Sequence, residues 1–307
     1  MALSIDQLNA ITDKYFIKKL FDNVFDSNVL AKKIMDGGSY KPVSGGTQIY
    51  VPLNYAQTSA SGWYQGADTL STTDNDNITA AAYDWCSLYA GVSITEEDEL
   101  KNAGDAEQLN LLKSKMQIAE KTLKDLLGTG LYSDGTTAKS IVGLRDIVAT
   151  DQTVGGISQS TNSWWQGQVD SSTTTTTISK MNAVFQNCSI DSEKPDLLVG
   201  TRSVYNYYYA LLQPQQRFQD DKTAGGGFQN LMFNGAPLVH DSHVPSSHLF
   251  MLNLAHLHLF YHPKRNMAFE PFQKPINQQV KVSRVLWMGA FGSSNNRLHG
   301  KMSALVA

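Results

Sequence analysis

Hydrophobic and polar residues alternate twice early in this chain, first at Ile49, Val51, Leu53 and Tyr55 and again at Tyr83, Trp85 and Tyr89. That period of two puts successive side chains on opposite faces of a strand. Between the runs, Ala56 to Asn77 is rich in Ser, Thr, Gly, Asn and Asp and cannot supply a core of its own. The pattern predicts a hairpin from Thr47 to Ile94 with limbs of about 24 residues, each up to roughly 80 Å when fully extended. A globule of this length has a radius of gyration near ~19 Å, so the hairpin overhangs its body and needs a second surface, such as another copy of the chain. Pro52 has no N–H to give to a ladder, which makes the first limb an edge.

Helical spacing fills other stretches. Leu20, Phe21, Val24, Phe25, Val29, Leu30 and Ile34 give the first 35 residues a helical reading, which Gly37, Gly38, Pro42 and Gly45-Gly46 then break. Leu109, Leu112, Met116, Ala119, Leu123 and Leu126 form a three-four stripe from Ala106 to Leu127, about 33 Å of helix, with Asp105 as N-cap, Gln108 as capping-box partner and Gly128 as stop. Three heptads with nothing to continue them suit a core-facing spine better than a coiled-coil seam. Tyr132 to Gly135 reads as a turn, Ile141 to Val148 as a short apolar segment, Gly155 to Trp165 as loop, and Thr173 to Thr177 as a stiff polar linker or strand. An amphipathic helix with Ile178, Met181, Val184, Phe185 and Cys188, a buried strand Asp196 to Gly200, and a helix from Thr201 with Tyr205, Tyr208, Leu211 and Leu212 make a mixed lobe. After Gly225-Gly226-Gly227, strands dominate: Pro237 to Val239, Leu249 to Asn253, Leu257 to Tyr261 and Val280 to Met288. The fold class is α+β, and 307 residues imply two subdomains rather than one core.

Charge sharpens this outline. Pro42 to Leu100 contains no Lys or Arg but eight acids: Asp68, Asp74, Asp76, Asp84, Glu96, Glu97, Asp98 and Glu99. From Ser242 onward the balance reverses, with Lys264, Arg265, Lys274, Lys281, Arg284, Arg297 and Lys301 against Glu270 alone. The two regions are either separate solvated faces or complementary surfaces of neighbouring copies, where charge sets register more than affinity. Charged residues are 17% of the chain, below the usual ~25%, and 13 Tyr, 12 Phe and 5 Trp accompany them, a composition shared by assembly interfaces and polar enzyme surfaces. A net charge of −3 argues against a basic body that wraps nucleic acid. Cys86 and Cys188 make no disulfide framework, the opening residues lack a signal-peptide pattern, and no 18-residue apolar run exists, so a soluble chain in a reducing compartment is expected, with no membrane partner.

Chemical motifs are sparse. His240, His243, His248, His256, His258 and His262 crowd one region beside Asp241, and His256 with His258 would share a strand face. Their spacing matches no metal motif, which leaves packing and hydrogen bonding as the default and a histidine-site metalloenzyme as the competing reading. There is no Gly-x-Ser-x-Gly elbow and no phosphate loop, and the Glu96 to Glu99 quartet suits a helix N-terminus and solvent better than catalysis. No catalytic, cofactor-binding or metal residue is assigned, no cofactor is expected, and the chain is read as a non-enzyme.

The order of elements (helical arm, acidic hairpin, spine helix, α/β lobe, closing strands) resembles the major capsid protein of tailed bacteriophages, the Hong Kong phage capsid fold. Stretches similar to that family are Lys41-Pro42-Val43-Ser44-Gly45-Gly46, Gly62-Trp63-Tyr64, Ala82-Tyr83-Asp84-Trp85, Gly155-Gly156-Ile157 through Trp164-Trp165, and Phe233-Asn234-Gly235-Ala236-Pro237 leading to Asp241. The resemblance implies an amino-terminal arm at 1–37, an extended hairpin loop at 38–95, a peripheral domain with the spine helix at 96–134, an axial domain at 135–280 and closing peripheral strands at 281–307. It implies self-assembly into hexamers and pentamers of an icosahedral shell around double-stranded DNA held without sequence specificity. A separate scaffolding protein and a portal are implied partners, with assembly in the bacterial host cytoplasm and a final place in the virion. An encapsulin-like compartment is the related alternative. Some family members weld subunits through a hairpin lysine and a neighbour's asparagine; this hairpin has no lysine, so a denaturing gel of mature particles is expected to show monomer and no high-mass ladder. No charged coiled-coil segment precedes the arm, so a fused scaffold is not expected.

Overall fold

The protein is described here by a computed structural model covering residues 6, 12, 20, 28–73, 76–101, 105–172, 177–212, 231–303 and 305. Most of the expected helical arm, the Thr173–Thr176 part of the threonine run and the Gly225-Gly226-Gly227 loop lie outside these residues. Within them the arm ends in a helix, Val29–Asp36, burying Leu30, Ala31 and Ile34.

The hairpin forms where alternation predicts it, but shorter. Strand β2 (Gln48–Asn54) pairs antiparallel with β3 (Ile78–Asp84), from Gln48↔Asp84 to Asn54↔Ile78. Pro52 sits exposed in this two-stranded edge ladder. Seven residues span about 24 Å, so the limbs of about 24 residues are corrected. The second limb leaves the ribbon at Trp85. Buried positions are odd in β3 (Ala81, Tyr83) and even in strand β4 (Cys86–Thr95), where Ala90, Val92 and Ile94 are buried and Tyr89 is exposed. One unpaired residue between the strands flips every later side chain to the other face.

Past that flip, β4 pairs along its whole length with the long strand β14 (Val280–Ser293), from Cys86↔Gly289 to Thr95↔Val280. Strand β1 (Tyr40–Pro42) runs parallel to β12 (Leu257–Tyr261), and β12 and β13 (Ala268–Gln273) both lie antiparallel to β14, completing a five-stranded sheet. The spine helix, Asp105–Leu131, buries Leu112, Met116, Ala119, Leu123, Leu127 and Leu131. Its capping residues and Leu109 lie outside the described side chains, and Leu126 is exposed. The helix continues through Gly128 instead of stopping there. A Cβ at Gly128 would come within 2.6 Å of both the His243 ring and Asn28 Oδ1, so this glycine serves close packing. Helix propensity favours Gly128→Ala by about 1 kcal/mol; the clash reverses the sign, and a net loss of about 1–2 kcal/mol is expected in a denaturant melt.

Two short strands, β5 (Thr153–Val154) and β6 (Ile157–Ser158), pair antiparallel at the start of the stretch expected to be loop. The second sheet is six-stranded, in the order β7 (Gln168–Asp170), β15 (Gly300–Met302), β11 (Leu249–Leu252), β8 (Leu197–Gly200), β10 (Ala236–His240), β9 (Leu231–Phe233). Its central strands β8 and β11 are buried at every position, as unbroken apolar runs require. Leu197, Val199, Phe250 and Leu252 join the core that includes the five-stranded sheet and the spine helix. Leu198, Leu249 and Met251 face a second core with the helices Ile178–Asn187 and Arg202–Leu212. Thr177 caps the first of these by accepting from Lys180 N–H. Strand membership crosses the boundaries drawn from sequence at 135–280 and 281–307. Residues 257–273 join the sheet of β14, and β15 closes the six-stranded one. Strand partners are remote in sequence, and no local pattern reports them.

Candidate assembly surface

The ribbon has two faces of opposite character. Ile49, Val51, Leu53, Ala81 and Tyr83 are buried, while Tyr50, Pro52 and Ile78 face outward. The inner face lies on the parent chain through specific contacts: Ala82 N–H donates to Gly155 O at 2.9 Å, Tyr55 stacks on Trp164 at 5.0 Å, and the Tyr83 hydroxyl donates to Ser293 O at 2.7 Å. Gly155, at φ +60°, is held so close that a Cβ would lie 2.6 Å from the Ala81 Cβ. The expectation of a ribbon clear of its own body is therefore corrected for its strands. Five alternating apolar side chains gain more from burial here than from water, at roughly 1.5–3 kcal/mol for each fully buried large one.

The connecting segment behaves differently. From Gln57 to Thr73 nearly every described residue is exposed, and Trp63 is fully so, with Tyr64 and Leu70 more than half. Together with Tyr50 and Ile78, the hairpin carries five of the twelve large hydrophobics exposed among the described residues. Clusters of this kind on a polar segment mark contact surfaces. Local turns organise the loop: Asp68 Oδ2 accepts from Gln65 N–H at 2.9 Å and Thr58 Oγ1 from Ala60 N–H at 3.3 Å.

Part of the charge polarity read from sequence is met inside the chain. Lys274 pairs with Glu96, Lys101 with Glu97 and Arg284 with Glu270, and Lys301 Nζ donates to Arg145 O. The Glu96–Lys101 segment is a helix, so the acidic quartet opens a helix as its composition suggested.

The six clustered histidines are dispersed. His240 meets Tyr205 edge-on, His243 bonds Asp241 Oδ1 at 3.0 Å, His248 stacks on Phe250, His256 bonds Ser294 Oγ at 2.9 Å, and His262 accepts from Lys264 N–H. Among the described residues no three His, Cys, Asp or Glu side chains gather as a metal group. Cys86 and Cys188 are unpaired, and burial pushes the Cys188 thiol up to about 12.

The seventh histidine, passed over in the sequence, is the most buried. His299 has no exposure, and burial first, then His256 and His258, lower its pKa to about 3. His258, buried and with no partner for Nδ1 among the described residues, is lowered to about 4 by burial, Lys41 and His256. Both stay neutral in the fold, whereas unfolded histidines protonate near pH 6.5. The unfolded chain thus binds more protons below pH 6.5, and stability falls as pH falls, by about 1.4 kcal/mol per pH unit for each ring until its folded value is reached. Asp146, raised to about 6 by burial and Asp134, acts in the opposite direction as pH drops below 6. Denaturant melts from pH 6.5 to 4 are expected to show a net decline, reduced by about one proton's slope in His299→Gln.

Neither protein-family models nor curated protein sequences match this chain. Solved structures do. The fold is that of phage major capsid proteins, the Hong Kong phage capsid type. The chain is similar to the capsid protein of cyanophage A-1(L) at 13% identity and TM-score 0.62, covering 89% of this chain and 93% of that one. It is similar to the SrpI encapsulin of Synechococcus elongatus at 11% identity and TM-score 0.59, covering 87% and 84%. A satellite phage P4 procapsid that includes a size determination protein matches at 13% identity and TM-score 0.56, covering 94% and 90%. Among the described residues no helix is long and apolar enough to cross a membrane.

Proposed function

We propose that this chain is the major capsid protein of a tailed bacteriophage, assembling into the pentamers and hexamers of an icosahedral shell around double-stranded DNA. The observation that carries the reading is the hairpin: its strands are anchored on the parent chain while its loop displays Trp63 fully exposed and Tyr64 and Leu70 more than half exposed among the described residues. Exposed aromatics on a polar loop are suited to anchoring a neighbour, and many such contacts give each copy an interface of over ~2,000 Å². The five-stranded sheet with the spine helix takes the peripheral role, the six-stranded sheet with its two helices the axial one, and residues 1–37 the arm. Shell building needs no catalysis, and the reading assigns none. DNA is contained through salt-screened phosphate contacts, without base readout. A separate scaffolding protein and a portal complete the assembly in the host cytoplasm.

The likeness to the SrpI encapsulin supports a second reading, a shell holding protein cargo. Electron microscopy of the recombinant protein, then of particles purified from producing cells and treated with nuclease, tests both. Closed icosahedral particles with protected DNA support the phage shell, and particles with protein cargo and no DNA support the compartment. A chain that stays monomeric at high concentration with its neighbouring gene products present overturns both.

A further inference from the structure

A buried chain of hydrogen bonds runs from the ribbon into both sheets. The Tyr83 hydroxyl donates to Ser293 O at 2.7 Å and accepts from Ser293 N–H at 3.0 Å, at the end of β14. Ser293 Oγ lies 3.2 Å from His299 Nε2, just before β15, and also accepts from Asn295 N–H. His299 Nδ1 accepts the backbone N–H of Asn253 at 3.2 Å, at the end of β11. All four residues are buried.

The geometry sets the ring's proton. Because Nδ1 accepts, the neutral ring carries its hydrogen on Nε2 and donates it to Ser293 Oγ. A second proton on Nδ1 would face the Asn253 N–H, donor against donor, in a site closed to water. The surrounding groups do not compensate. Glu193 is held by Asn253 Nδ2 at 2.9 Å and stands 3.7 Å from His256 Nε2, and it is not among the groups acting on the His299 ring. The basic groups acting on the cluster are His256, His258 and, through His258, Lys41. Protonation therefore requires the chain to open.

We propose that Tyr83–Ser293–His299–Asn253 is a proton-operated latch, closed on the ribbon base while His299 is neutral and released when the ring takes up a second proton. The ribbon is bonded to the backbone of Ser293 at one end, the Ser293 side chain bonds His299 across the two sheets, and His299 bonds Asn253 within the six-stranded sheet. Opening removes the side-chain anchor of Ser293 and loosens the end of β14 to which the ribbon base is bonded, a local step toward the movement a hinged contact arm needs. Below pH 6.5 the ratio of closed to open falls about tenfold per pH unit, since the opened ring titrates normally.

Amide hydrogen exchange of the full-length chain between pH 7 and 4, corrected for intrinsic rates, tests the latch. Peptides over 48–54 and 78–84 are expected to lose protection at least tenfold between pH 6 and 4.5, while the β4–β14 ladder stays protected. His299→Gln keeps a donor toward Ser293 and cannot take the proton, so the drop disappears. Ribbon and ladder loosening together in the wild type, or an unchanged drop in His299→Gln, overturns the proposal. Should that variant not fold, Tyr83→Phe cuts the ribbon end: protection of the ribbon is then low at pH 7 with no acid step, and a wild-type step overturns the latch. The readout is taken on a single chain, so its failure leaves the shell reading intact.

Discussion

Replacing Trp63 and Tyr64 together by alanine leaves the chain folded and stops it from assembling. Trp63 is fully exposed and Tyr64 largely so, and among the described residues neither ring has a hydrogen bond or a stacking partner. Exposed substitutions of this kind change folding stability by no more than about 0.5 kcal/mol. Aromatic anchors at an interface cost about 2–4 kcal/mol when truncated. A loss of that size raises the concentration needed for assembly roughly 30-fold or more, since each 1.4 kcal/mol is about tenfold. Thermal melts of the soluble chain should match the wild type while electron microscopy shows no particles at the wild-type working concentration. Particles at normal yield would remove the hairpin loop from the assembly surface and with it the main support for a shell.

The second large effect is one of overpacking. In Gly292→Ala the new methyl group would stand 2.5 Å from the Tyr83 ring, which cannot slide away because its hydroxyl is bonded to both Ser293 N–H and Ser293 O. A loss of about 2–3 kcal/mol is expected, and for a chain of this size a melting temperature lower by roughly 3–5 °C. Pairing the change with Tyr83→Leu should recover part of the loss, because two side chains competing for one space couple non-additively. A melt within 1 °C of the wild type would mean that the ribbon base does not lie on β14.

The sheets and helices were largely legible because burial imposes its period locally. The ladder of β2 and β3, the stripe of the spine helix, the apolar run at Leu197–Gly200 and the strand at Leu257–Tyr261 all stand where alternation or three-four spacing put them. The segment between the strands was legible as well, since Ala56 to Asn77 is too polar to supply a core, and its described residues are nearly all exposed. Trp85 was misleading. Its large apolar side chain continues the alternation of Tyr83 and Tyr89 in the sequence, yet it occupies the unpaired position where the register changes face. Gly128 looked like a helix stop because glycine often is one, whereas here its missing side chain makes room for His243 and Asn28. His299 gave no signal beyond standing between Leu298 and Gly300.

Residue order was enough to establish a lysine-free acidic hairpin, an amphipathic spine and a mixed α+β chain, because hydrophobic period, turn chemistry and charge act over a few neighbouring residues. Folding in three dimensions was needed to choose which strands meet, to lay the ribbon on the end of β14, and to enclose a neutral histidine among groups remote in sequence. Those choices depend on shape and on the exclusion of water between distant segments, and neither is written in any short window of the chain.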